Sequence, residues 1–199
     1  MVTGIVPPEK PQQLQFKPLD AKKLSDVDFL RSVKPMFHMA CSEFYESRLE
    51  ASKMLCDFIV KHNEQVELPD FVTECVAHLE KLVFDSFTDV SHHAIIAIAS
   101  VVDRPCYQNA LVSSHALPFL FNMLEKVPEP MFDSIQVRRE SASILATLSK
   151  VNPRGVAENL QLFPGEFKAW VKKAEELRCD AELYNLTCEL RQNLIKVVV

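Results

Sequence analysis

Apolar residues return along much of this chain with the 3.6-residue rhythm of helices that bury one face. Three segments share the same version of it: ESRLEASKMLCDFIVKHN, TDVSHHAIIAIASVVDRP and IQVRRESASILATLSKVNP. In each, a small residue is followed three, four and seven positions later by apolar ones. The sets are Ala51/Met54/Leu55/Phe58, Ala94/Ala97/Ile98/Val101 and Ser141/Ile144/Leu145/Leu148. This spacing puts each set on one helix face, with the small residue where a neighbouring helix crosses closely. Equivalent positions lie 43 residues apart from Leu55 to Ile98 and 47 apart from Ile98 to Leu145. A helical period repeating at this length predicts units that stack to bury one another's apolar faces.

The punctuation between these segments supplies the other elements. Pro7, Pro8, Pro11 and Pro18 prevent helix propagation, so residues 1–23 read as a proline-rich extended arm and residues 24–199 as the helical domain. Within the arm, Leu14, Phe16 and Leu19 are apolar candidates for contact with a partner. Ser25 with Asp28 resembles a capping box, and Val27, Leu30 and Val33 share a face until Pro35 interrupts. A long helix is expected from about 37 to 62, with a break near Ser42. Pro69 opens the next, whose pattern is Phe71, Cys75, Leu79, Leu82 and Val83. Asp89 and Ser91 are candidate caps for the second repeated helix, which ends near Pro105. The third unit then reads as CYQNALVSS, HALPFLFNMLEKV and a helix from about Ser134 to Val151, stopped by Asn152-Pro153. A fourth pair is expected over 166–177 and 180–198, with Cys179, Leu183 and Leu186 as its nearest match to the seam.

The third unit resembles the armadillo repeat family. Its second helix starts at His115-Ala116-Leu117-Pro118, where that family has Gly-Ala-[Ile/Leu]-Pro. Its third helix begins Gln136-Val137-Arg138-Arg139-Glu140 and ends Ala146-Thr147-Leu148, where the family has Val-Gln-x-x-Ala and Asn-Leu. The resemblance covers residues 106–153 well and 44–105 more loosely. It implies an all-α fold: a short right-handed α-solenoid of three to four armadillo-like repeats, preceded by the arm. Importin alpha-like and beta-catenin-like members grip extended peptides with a ladder of asparagines, often joined by tryptophans. The matching asparagine positions here hold Asp57, Ser100 and Thr147, and the tryptophan positions hold Lys53, Ile96 and Ser143. The amide ladder is missing, so that clamping mechanism does not carry over. A groove lined by Asp57, Ser100 and Thr147 would instead be polar and of mixed charge.

Composition narrows the functional classes. With 22 basic and 27 acidic residues the net charge is −5, and no basic stripe appears, so no nucleic-acid partner is expected. Three glycines leave little room for phosphate-cradling loops, and there is no P-loop, dinucleotide fingerprint or GxSxG elbow. Six cysteines form no CxxC pair and read as buried free thiols of a reducing compartment. His92 and His93 are adjacent, so on a helix they diverge by about 100 degrees and make a poor metal pair. No apolar run reaches the roughly 18 residues of a membrane span, and the first residues do not read as a cleaved targeting peptide.

The expectation is therefore a protein without catalytic, cofactor or metal residues, acting as a scaffold or accessory subunit of a larger assembly. Its partners are other protein subunits, met through helical surfaces and the arm. The alternative is a regulatory adaptor that takes a peptide or tail in the concave groove. The expected setting is intracellular and reducing, cytoplasmic (including ciliary) or, through an uncleaved signal, mitochondrial.

Overall fold

Ser25 starts the first helix by a side-chain exchange with Asp28. Its hydroxyl accepts from the Asp28 amide at 3.2 Å and donates to the Asp28 carboxylate at 2.6 Å. The computed structural model describes residues 25–61, 65–125, 134–162 and 180–198. Among the described residues there are nine α-helices and no strand. They are α1 (Asp26–Ala40), α2 (Tyr45–Lys61), α3 (Pro69–Val83), α4 (Thr88–Ala99), α5 (Pro105–Val112), α6 (Ala116–Glu125), α7 (Ser134–Val151), α8 (Pro153–Asn159) and α9 (Ala181–Val198). A 3-10 turn at Gln65–Glu67 precedes α3. The expected helix over 166–177, Cys179 and the arm with Leu14, Phe16 and Leu19 lie outside the described residues.

Pro35 does not interrupt α1. It forfeits one bond to the Arg31 carbonyl, a loss of about 3 kcal/mol in a helix interior. The following turn recovers this by burial, because Met36, Phe37 and Ala40 all enter the core. The Phe37 ring lies 4.5 Å from His78 and 5.8 Å from Phe71, both on α3. The buried stripe is therefore Phe29, Val33, Met36, Phe37 and Ala40, whereas Val27 stays 66% exposed. The break between α1 and α2 falls at 41–44, as the polar run near Ser42 suggests.

Two further expectations are corrected. Asp89 and Ser91 do not cap α4: the residue before its first turn is Phe87, which offers no side-chain bond. Asp89 receives the Tyr45 hydroxyl, and Ser91 donates at 2.8 Å to the Val83 carbonyl at the end of α3. Residues 153–159 form α8 rather than merely ending α7. Asn152 caps it, accepting the Gly155 amide at 2.9 Å. A Cβ on Gly155 would lie 2.8 Å from Val112, so glycine is what lets α8 approach α5. Asn159 then bonds the carbonyls of Val112 and Ser114 at 2.7 and 3.1 Å, satisfying the end of α5. Gln161 adopts φ 51° one residue past the α8 cap, where Leu162 bonds back to the Ala157 carbonyl.

The helices pack in two rows. In one, α2 lies against α4, α4 against α7, and α7 against α9. In the other, α1 meets α3, α3 meets α5 and α6, and these meet α8. Core residues run through both rows as one cluster. The small residues Ala51, Ala94 and Ser141 are wholly buried, and so are Leu55, Ile98 and Leu145 one turn on. Leu145→Ala should therefore cost about 2–5 kcal/mol in denaturant unfolding, through lost transfer energy plus the cavity left behind. A loss below about 1 kcal/mol would show that this seam does not carry the fold.

Candidate functional site

The three groove candidates fall on successive helices of the first row. Asp57 on α2 and Ser100 at the end of α4 are exposed, and Thr147 on α7 is half-buried. Each directly precedes a buried apolar residue: Phe58, Val101 and Leu148 respectively. Ser100 donates its hydroxyl to the Ile96 carbonyl at 2.9 Å. Its hydroxyl is thus engaged within the row, which weakens it as a donor to a peptide. At the tryptophan positions, Lys53 is exposed, and Ile96 and Ser143 are half-buried.

Between α4 and α7 lies a polar seam that sequence spacing did not reveal. His92 Nε2 is 3.5 Å from Glu140, whose other oxygen accepts from Gln136 at 2.7 Å. His93 turns away and bonds the Asp89 carbonyl through Nδ1 at 2.7 Å. Beyond it, Arg139 on α7 grips Asp180 with two bonds of 2.5 and 3.2 Å, and Asp180 also caps α9 through the Leu183 amide at 2.8 Å. Among the described residues no group of three or more His, Cys, Asp or Glu is placed to hold a metal ion. No helix among them is long and apolar enough to cross a membrane.

Among the described residues, the most exposed aromatic side chains sit at the turns before α2 and α4. Phe44, Phe84 and Phe87 are 42%, 51% and 45% exposed. Phe44 and Phe87 are 43 residues apart, the same offset as Leu55 and Ile98. Their turns are also closed alike: the Phe44 amide donates to Ser42 Oγ at 3.2 Å, and the Phe87 amide to Asp85 Oδ1 at 3.0 Å. Extending the repeat backwards into the polar turns finds both phenylalanines, since each occurs as Ser/Asp-x-Phe. A half-buried network ties the two turns together. The Arg48 guanidinium bonds both oxygens of Asp85, and through Nη1 it reaches the Ser42 and Glu43 carbonyls at 3.0 Å each. It also sits 5.7 Å from the centre of the Phe87 ring, which lies 4.3 Å from Tyr45. The Tyr45 hydroxyl donates to Asp89, and that bond raises the phenol's pKa. On the far side of the α3–α4 turn, Phe84 meets Phe119 edge-on at 5.0 Å.

The expectation of buried thiols holds only in part. The five described cysteines are free, yet Cys41 and Cys106 are exposed, and Cys56 and Cys188 are intermediate. They fall at helix ends or on rims that the apolar rhythm does not distinguish from the core. Cys75 alone is fully buried, and desolvation pushes its thiol up to about 12 despite a bond with Tyr107.

Two outcomes follow from this chemistry. Native-state alkylation should label Cys41 and Cys106 well before Cys75, which should react only after unfolding; early labelling of Cys75 would contradict its enclosure. Asp180 is held below its ordinary value of 3.8, first by its bonds to Arg139 and then by the Leu183 amide. Below that ordinary value the unfolded chain binds the proton more readily than the folded one, so stability rises with pH. This contribution is present above about pH 4 and is lost as pH falls through the lower folded value. Asp180→Asn should flatten the acid limb of a plot of unfolding free energy against pH, and an unchanged limb would refute the assignment.

Comparison with protein-family models, curated proteins and solved structures finds no match to this chain.

Proposed function

We propose that the protein is a non-catalytic scaffold or accessory subunit of a larger protein assembly. In this reading its helices form a short right-handed solenoid of three to four armadillo-like units, with one turn edge that docks on neighbouring subunits. The observation that carries it is the pair Phe44 and Phe87, exposed at equivalent positions of the repeat, with Phe84 exposed on the other side of the α3–α4 turn. Large apolar side chains grouped on a protein surface mark interaction sites. Here Arg48 holds the turns before α2 and α4 together and lies over the Phe87 ring, so less conformational entropy would be lost when Phe87 docks. The row α2–α4–α7–α9 and the shared register of its buried residues support the repeat architecture. Free cysteines fit a reducing compartment. The alternative, a peptide or tail in the groove beside Asp57, Ser100 and Thr147, draws on the exposure of the first two.

The test is native size fractionation of the protein from its source, beside a Phe44→Ser/Phe84→Ser/Phe87→Ser variant. The wild type should elute within a stoichiometric assembly. The variant should keep its helical circular dichroism and shift towards the mass of the single chain. A wild-type protein that runs as the isolated chain would overturn the proposal. A variant that stays assembled while Asp57→Lys/Ser100→Tyr releases the partner would favour the groove.

A further inference from the structure

Arg31, Lys34 and His38 follow one another at intervals of three and four residues, so all three lie on one face of α1, and all three are exposed. With Pro35, Met39, Ser42 and Ser47 they line a groove of about 550 Å³ between α1 and the start of α2. No carboxylate lines this groove, although the whole chain has a net charge of −5. Asp28 comes no nearer to Arg31 than 3.8 Å, with both side chains more than half exposed, a pairing worth little in water. Among the described residues nothing bonds or pairs with the Lys34 or His38 side chain.

The polar groups of this groove are donors. Arg31 and Lys34 can only donate, and a histidine ring keeps an N–H in either protonation state. Ser42 Oγ already accepts the Phe44 amide at 3.2 Å, which leaves its O–H to give. Such a lining suits an anionic ligand rich in acceptors. Length selects among anions. The helix rises about 10 Å from Arg31 to His38, more than one phosphate or carboxylate spans. Alternate side chains of an extended peptide stand about 7 Å apart, close to the rise of about 6 Å from Lys34 to His38. Half-buried Pro35 and Met39 add apolar surface between the charges, and methionine adapts to varied neighbours. Glu43 and Glu46, exposed and next in the chain to Ser42 and Ser47, oppose a broad anionic surface such as a membrane.

We infer that the α1–α2 groove binds an acidic, extended peptide segment of another protein. Carboxylates two residues apart meet Lys34 and His38, a further one meets Arg31, and their methylene stems lie on Pro35 and Met39. The groove takes this ligand whether or not the edge bearing Phe44 and Phe87 docks on a subunit.

Fluorescence anisotropy of the purified full chain tests it, with a dye-labelled pentapeptide that alternates glutamate and serine and begins and ends on glutamate. This probe should bind about tenfold more tightly than its glutamine counterpart, and the preference should fade as salt is raised. Lys34→Glu/His38→Glu alters two exposed side chains and should leave the helical circular dichroism unchanged. It should also abolish the preference for glutamate and favour the lysine counterpart instead. Equal binding of the glutamate and glutamine peptides would overturn the inference, as would a preference that survives the charge reversal. Displacement of the probe by inorganic phosphate, but not by chloride at equal ionic strength, would reduce the groove to a single-anion pocket. Tighter binding to phosphatidylserine vesicles than to the probe would make it a membrane contact, and either result refutes a peptide site.

Discussion

Everything in this fold depends on α4 being buried on several sides at once. This 12-residue helix is pressed by α2, α3 and α7, and Val90, Ser91, Ala94, Ile95, Ala97 and Ile98 are all enclosed. Its other six residues are half-buried rather than exposed, so its neighbours cover it from more than one side. The small residues Ala51, Ala94 and Ser141 make that possible, because a bulky side chain at a crossing would hold the helices apart. Two rows follow from this requirement, and with them an edge where the turns gather.

That edge is stiffened by charge rather than by apolar packing. Some ion pairs among the described residues lie in the open, such as Arg154 with Glu158, and contribute little. Arg48 and Asp85 differ, with side chains only 17% and 6% exposed and the Arg48 Nη1 bonded to two backbone carbonyls. A pair this enclosed is costly to break, because removing one partner strands the other in a poorly solvated place. Position is what such a pair secures: it locks the turn before α2 to the turn before α4 and so sets where Phe87 stands.

Much of the helical layout was legible from spacing alone. The intervals separating Leu55, Ile98 and Leu145 located α2, α4 and α7, and the period after Asp180 located α9. What spacing could not weigh was tertiary compensation. Pro35 looks like a stop, yet the burial of Met36 and Phe37 carries α1 through it. Asp89 and Ser91 look like caps, yet Tyr45 and the Val83 carbonyl claim them. Seven residues are too few to display a period, so α8 was hidden behind the Asn152-Pro153 stop signal. Of the candidate surfaces, Phe44 and Phe87 were present in the repeat but sat in polar turns, where the apolar rhythm does not look. The His92–Glu140 contact joins residues from different units, which no local pattern brings together.

The matched pair Phe44 and Phe87 has a consequence for recognition. In the proposed docking, two like knobs on one edge would act as a ruler: a surface that seats both must carry two sockets at the same pitch. Once the first is seated, the second binds at the local concentration set by the rigid spacing rather than from bulk solution. Affinity would then rise steeply with the match of pitch while each contact alone stays weak, so such an edge would discriminate by geometry instead of by chemistry.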